Sequence, residues 1–483
     1  MTPQRAVILV GVALTLSLWI GAWHGALSSD FGSGFFGANG AGYSGRIASN
    51  LATHPLSLTR TGAPWFVLRA QEPLVLQYSN HPPGYMLVQG FLYGVCGIEP
   101  LVLKLFALLL HAGTALVLLL FFLPDRPAAA AVAGIFGATL PVAAHYGFMC
   151  SAFGPCTLLL AATLLLWRRH GRVGDAASLR WLCLLAGFNA WLDWNGLAML
   201  PCLVVAALLQ RRRALATALG ITLAASLGML LVHCSYVLGG PSALLHEMQR
   251  LAGATGDGLR CGDAAWWLAM AGHLQSQFGA IALVLALGGW LLAPRELRSF
   301  ALLSAAPGLL LIFALQHHAA VHDYWVQPLL PAVVWGAALA CERALCHANK
   351  LVAVAAAATV AFVAVVGLMA ASSSLAASLA PDGARQIAQA VDSLATPDDT
   401  VLLPLANLEN VGGYTTRQVM VGVDSVAEVD AITASIRARR PLGRVLLLLP
   451  TPWKDPAFAM AMEVRAPSKR IGSARLHVLL APQ

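Results

Sequence analysis

Long uncharged apolar runs recur along the chain from residue 6 to residue 372, separated by short polar stretches that hold most of the arginines. A helical run of about 20 apolar residues matches the roughly 30 Å hydrocarbon core of a bilayer. The pattern predicts eleven spans, at 6–27, 101–123, 128–146, 153–167, 181–192, 196–209, 214–238, 278–292, 300–315, 326–342 and 351–372. The first run follows "MTPQR" and is too long for a signal-peptide core, so it reads as a retained anchor. After residue 373 the pattern changes. "TVLLPL", "RVLLLLP" and "ARLHVLL" read as buried strands, with "GARQIAQAVDSLA" and "VAEVDAITASIRARR" as amphipathic helices between them. The expected fold class is an all-α polytopic membrane protein over residues 1–373, followed by a small α/β domain over 374–483.

The stretch "YSNHPPGYMLVQGFLYG" (78–94) sets the topology. If Pro82–Gly97 is a juxtamembrane helix, one side of the membrane holds every compact basic cluster. These are Arg126; Arg168, Arg169, Arg172 and Arg180; Arg211, Arg212 and Arg213; Arg295 and Arg298; Arg343 and Lys350. That is the arrangement the positive-inside rule requires. A spanning helix there would invert all of them, and sixteen residues reach only about 24 Å. The N-terminus is therefore placed in the cytoplasm. The first outer loop (28–100) and the C-terminal domain lie outside, which in a Gram-negative cell is the periplasm, so the chain is a multi-pass inner-membrane protein. Residues 181–209 read as a hairpin turning at "DWNG". A single span would bury Asp193 at mid-bilayer, at a cost of about 2.5–3.5 kcal/mol.

Composition agrees. Hydrophobic residues make up 58% of the 483 and charged residues 11%, against about 25% charged in soluble domains. The net charge of +8 sits in membrane anchors, so no nucleic-acid partner is expected. The nine cysteines lie in or beside apolar runs without zinc-ligand spacing, and no disulfide framework is visible. A nucleotide-binding glycine loop is missing too, which argues against a nucleotide-sugar donor.

The predicted outer face collects the unusual polar residues. The first outer loop carries Asp30, Asn39, Arg46, Asn50, Glu72, Asn80 and His81, and Lys104 stands just inside the next span. Asp193 and Trp194 mark the hairpin turn, and "QHHAAVHDYW" (316–325) supplies His317, His318, His322 and Asp323. Ionisable groups gathered at one membrane edge point to a functional site. Each also has a plain structural alternative. Asp30 and Glu72 could be solvated loop acids, His81 the start of a helix, Lys104 a snorkelling anchor and Asp193 a helix cap. The histidines could form a hydrogen-bonded cluster or hold a divalent metal ion, the one cofactor left open.

Five stretches, "NGAGYSGRIASNL" (39–51), "NHPPGY" (80–85), "LKLFALLLHAGTAL" (103–116), "LDWNG" (192–196) and "HDYWVQPLLP" (322–331), resemble the bacterial GT-C membrane glycosyltransferases. These are relatives of the dolichyl-phosphate-mannose protein mannosyltransferases and of the aminoarabinose transferase. The resemblance covers roughly residues 6–340 and does not reach the tail. It implies Asp30 as general base, Lys104 as a contact of the carrier phosphate, His81 lining the site, and Asp193 with Trp194 as the Asp-Trp pair. Glu72 is the rival carboxylate. The implied partners are a polyprenyl-phosphate-linked sugar donor, membrane lipids, and a glycan, glycolipid or protein acceptor. The chain departs from the family at Gly154, where relatives tend to carry a glutamate before the proline.

Chemistry supports the same set. The leaving phosphate is a stable anion, so transfer needs one base and cations for the phosphate, with Lys104, His81 and Arg46 as candidates. The competing readings are a lipid-linked saccharide carrier or flippase, a ligase using a lipid-pyrophosphate glycan, and an inactive lipid-binding relative.

Overall fold

The apolar runs fold as helices, and proline and glycine decide where they break. The structure, a computed structural model, describes residues 1–483 except 29, 69–73, 79–80, 255–257, 381–382, 405–408, 440–441, 451–454, 467, 472–473 and 481–483. Among the described residues six helices are long and apolar enough to cross a membrane: Pro3–Trp23, Pro100–Leu120, Arg213–Leu238, Arg295–Ala314, Asp323–Leu345 and Lys350–Ser378. The pair Ala264–Phe278 and Ala280–Leu291, bent by 93°, makes a seventh if taken as one broken span. Four more predicted spans correspond to Pro127–Thr139, Phe153–Val173, Ala176–Leu192 and Trp194–Leu209.

Departures from the predicted spans have local causes. The run 128–146 breaks at Leu140, because Pro141 has no N–H to continue the ladder, and a short helix Pro141–Tyr146 follows. Gly279 adopts φ +78°, a left-handed conformation that is cheap only for glycine, and this turns the chain sharply at the start of the span predicted at 278–292. The span predicted at 326–342 begins as a 3₁₀ turn, Asp323–Leu329, before the helix Leu330–Leu345. Helix Gly84–Cys96 is about 20 Å long, shorter than the hydrocarbon core of a bilayer.

Contacts divide the chain into two units, residues 1–24, 80–85 and 105–375 in one and 25–79, 86–104 and 376–483 in the other. The boundary expected at 373 falls inside helix Lys350–Ser378, and the first loop groups with the C-terminal residues.

The helical unit packs through small residues. A β-carbon on Gly289 would lie 1.8 Å from the Gly336 carbonyl oxygen, so helices Ala280–Leu291 and Leu330–Leu345 meet backbone to backbone. Trp335 stacks on Phe121 at 3.9 Å and donates its indole N–H to the Leu118 carbonyl at 3.2 Å. Basic residues predicted to share one side do come together. The Asp125 carboxylate accepts from Arg168 at 2.7 Å and Arg172 at 2.8 Å, and Arg126 pairs with Glu342 at 2.7 Å. The Arg212 guanidinium lies over the Trp167 ring at 5.7 Å. The chain therefore returns after residue 209 to the end it left near residue 168. Residues 176–209 form a hairpin with its turn at Asp193, not one long span.

In the other unit, β1 (Pro64–Leu68) and β2 (Leu74–Gln77) form an antiparallel pair in the first loop. The C-terminal domain contributes β3 (Thr400–Leu403), β4 (Gln418–Val421), β5 (Val445–Pro450), β6 (Ser468–Ile471) and β7 (Ala474–Leu480), in the order β4-β3-β5-β7-β6. Strand β3 runs parallel to β4 and β5, and β7 antiparallel to β5 and β6. Alternation along the strands fills both faces. Val401, Leu403, Leu446 and Leu448 pack with Ala384, Ala388 and Val391 of helix Ala384–Leu394. Leu402, Leu447 and Leu449 pack with helices Val426–Ala438 and Pro456–Arg465. Sequence reasoning anticipated three of these five strands and two of these three helices.

Candidate active site

Asp30 follows the first helix after a glycine turn. Its Oδ1 accepts the Gly32 N–H at 2.9 Å and the Tyr414 hydroxyl at 2.6 Å. Among the described residues no donor reaches Oδ2, and the side chain is half-buried. Lys104, only 2% exposed, donates to the carbonyls of Gly25 (2.7 Å) and Asp30 (2.5 Å) and to Ser28 Oγ (3.3 Å). The ammonium thus closes the turn that presents Asp30. Arg46 is equally buried and donates to the carbonyls of Gly412 (3.3 Å), Thr415 (3.2 Å) and Arg417 (2.5 Å). Burial pushes its pKa down to about 10, against the opposing pull of Asp392. It remains a cation, and it ties the first loop to the C-terminal domain.

A second cluster forms in the helical unit. Asp193 is fully buried, caps helix Trp194–Leu209 and accepts from the Asn195 backbone N–H (3.2 Å) and side-chain amide (2.8 Å) on Oδ1. Its Oδ2 bonds His81 Nδ1 at 2.7 Å. Burial alone would lower the His81 pKa, but the Asp193 carboxylate outweighs it and holds the imidazole above its ordinary value. Two glycines permit this approach. A β-carbon on Gly84 would meet the Trp191 carbonyl at 2.2 Å, and one on Gly196 the Asn189 carbonyl at 1.8 Å. "HPPG" and "DWNG" are thus two sides of one packed corner.

The 316–325 segment adds a third group. Asp323 accepts from the Tyr146 hydroxyl and, at 2.5 Å, from the Gln277 amide. His322 stacks on Tyr324, with ring centroids 5.2 Å apart. Burial, then His318, lower its pKa, with Asp323 opposing. Burial likewise lowers His318, helped by the charges of His317 and His81, so these histidines lie within electrostatic reach of one another. Among the described residues no three His, Cys, Asp or Glu side chains gather as metal ligands.

No protein family and no curated protein matches the sequence. Solved structures do match the coordinates. ArnT from Cupriavidus metallidurans bound to undecaprenyl phosphate superposes over 100% of both chains, with a TM-score of 0.65 at 16% identity. Its apo state gives 0.63 at 15%, over 99% of both. Archaeal oligosaccharyltransferase AglB from Archaeoglobus fulgidus, in complex with an inhibitory peptide and a dolichol-phosphate, gives 0.56 at 12%, over 92% of this chain and 69% of that one. Both are GT-C glycosyltransferases. The chain has the GT-C fold.

Within this GT-C fold the sequence-predicted residues fall into separate groups. Asp30, Lys104 and Arg46 belong to the unit of first loop and tail, as does Asn39 in the π-helical turn Ala38–Gly45. His81, Asp193, Trp194, His322 and Asp323 belong to the helical unit. Asn80 and Glu72 lie outside the described residues. Gly154 sits in the first turn of helix Phe153–Val173, where an added β-carbon would meet only Leu110 at 3.9 Å, so the backbone does not demand glycine there. Three residues were missed. Nothing in the sequence marks Tyr146, Gln277 or Tyr414 as an aspartate's partner.

Proposed function

We propose that this chain is a membrane glycosyltransferase that moves a sugar from a polyprenyl-phosphate carrier to an acceptor hydroxyl, on a glycolipid such as lipopolysaccharide or on a protein. The observation that carries the reading is Asp30, with Oδ1 held by two donors and, among the described residues, no donor on Oδ2. Asp30 takes the acceptor's hydroxyl proton while that oxygen attacks C1 of the sugar. The C1–O bond breaks, and its electron pair leaves on the polyprenyl phosphate. The leaving group is already a stable anion, so no strong general acid is needed. Lys104, in the same unit as Asp30, is the candidate cation for the departing phosphate. Lys104 takes up an anion by giving up its long bond to Ser28 Oγ, at 3.3 Å. The GT-C fold shared with an undecaprenyl-phosphate-bound structure supports a lipid donor.

The reading places the chain in a bacterial inner membrane, N-terminus cytoplasmic and C-terminus periplasmic, which the gathering of arginines at one end of the helical unit supports. A periplasm-active reporter is expected to be active after Gln483 and silent after Arg212. The deciding experiment is mass spectrometry of lipid-linked sugars in a deletion strain. A polyprenyl-phosphate sugar should accumulate there and be consumed by the purified chain. Turnover of a nucleotide sugar without lipid carrier would overturn the proposal.

A further inference from the structure

Resting on the reading of Asp30 as base, we infer that Tyr414 of the C-terminal α/β domain is the residue that positions it. The domain thereby becomes part of the catalytic apparatus. The hydrogen bonding at Tyr414 fixes the direction of its single hydroxyl proton. The Phe31 N–H donates to the Tyr414 oxygen at 2.5 Å, so the proton points to Asp30 Oδ1 at 2.6 Å. A hydroxyl that accepts from the residue after Asp30 and donates to the carboxylate locks main chain and side chain together. With the Gly32 N–H also on Oδ1, the carboxylate cannot rotate freely, and Oδ2 is the oxygen presented for proton transfer.

The tyrosine is itself held rigidly. Its ring packs on the cluster formed by Ala388, Val391, Val401, Leu403 and Val411, on one face of the five-stranded sheet. On its other side the Phe31 ring lies 5.6 Å away. The segment carrying it is docked on the first loop at two further places. Arg46 holds the carbonyls of Gly412, Thr415 and Arg417, and a β-carbon on Gly413 would lie 2.4 Å from Ala41 Cα. A buried arginine, a glycine contact and a tyrosine–aspartate bond converge on one six-residue stretch. That stretch fixes the carboxylate by way of the folded sheet, a more precise support than a loop alone provides.

The test uses the full-length chain in lipid nanodiscs, with the polyprenyl-phosphate sugar pool extracted from the deletion strain as donor. Tyr414→Phe keeps the ring and its packing but removes the donor. It is expected to lower kcat by about tenfold or more, since misplacement of a reacting group is costly, with KM for the donor lipid within twofold and thermal stability close to wild type. A p-aminophenylalanine at 414, which restores an N–H donor in the same place, should recover most of the lost kcat. Asp30→Asn is run beside them. If Asp30→Asn is inactive while Tyr414→Phe keeps wild-type kcat, the inference is overturned and the base stands. The inference also fails if Tyr414→Phe raises KM or lowers stability without changing kcat, or if the amino analogue restores nothing, because the tyrosine is then mere packing. If Asp30→Asn transfers sugar at the wild-type rate, the reading of the base falls first, and the role of Tyr414 with it.

Discussion

Asp30 and Asp193 invite comparison, because both follow a predicted span and both were singled out from the sequence, yet their surroundings differ. Asp193 is fully buried, and both of its oxygens are engaged, one by Asn195 twice and the other by His81. A carboxylate saturated in this way caps a helix and fixes a neighbouring imidazole, but it has no free oxygen to accept a proton from a substrate. Asp30 is half-buried, and among the described residues its donors all lie on one oxygen. Position relative to a membrane span draws attention to an acid. The number of donors on its oxygens tells whether it can act as a base.

The largest effect should come from the open carboxylate. Asp30→Asn preserves shape and the Gly32 contact but removes basicity, so transfer should fall by about 10²–10⁴, the usual contribution of general base catalysis. Unfolding should be little changed, because the side chain is partly solvated. Single-turnover transfer measured beside a thermal melt separates the two quantities. A variant as active as wild type would reverse the comparison, and Glu72→Gln becomes the next variant to measure.

Asp193→Asn should show the opposite profile. Removing one partner of a buried ion pair typically costs about 3–5 kcal/mol, and here it leaves His81 facing a neutral amide in a buried corner. Chemical unfolding should report a loss of about 3 kcal/mol, with residual kcat in whatever fraction stays folded. A variant that keeps wild-type stability while losing transfer would make Asp193 the reacting acid and sink the distinction drawn here.

The two regions also differ in how much of them could be read in the sequence. "HPPG" and "DWNG" lie 112 positions apart at the His81–Asp193 bond, yet each advertises itself. Ionisable residues beside prolines and glycines at the ends of apolar runs are conspicuous, since bilayer physics makes them rare. The spans were legible for the same reason, and two of them are interrupted where Pro141 and Gly279 break the backbone. The Asp30 region was half legible. Asp30 and Lys104 stand out against apolar neighbours, whereas Tyr414 reaches Asp30 across 384 positions from an ordinary soluble-type domain, where a tyrosine carries no signal. Strand β6 escaped because it reads "SKRI", too polar for a hydrophobic pattern, and β4 because "QVMV" offers only three apolar residues in a row. The bonding of Arg46 was not legible. Its charge suggested a phosphate contact, and the structure places it on three carbonyls of the C-terminal domain.

The smallest expected effect is a pH dependence at the saturated carboxylate. The Asp193 bond outweighs burial and raises the His81 pKa above its ordinary 6.5. A histidine raised on folding contributes stability that is fully present below its unfolded value and is lost as pH rises through its folded value. The stability difference between wild type and His81→Gln should therefore be largest below about pH 6.5 and shrink as the solution becomes alkaline. Its size there should be about 1.5 kcal/mol, the lower range for a hydrogen bond to a charged group. Asp193→Asn sharpens the test, because without the carboxylate burial governs the imidazole and the protonated form is disfavoured. In that background the His81→Gln difference should already be small at neutral pH. Thermal melts of the four proteins across about pH 5.5 to 9 measure all of this at once. A difference that stays constant with pH, or grows toward the alkaline side, would show that His81 is held as a neutral imidazole.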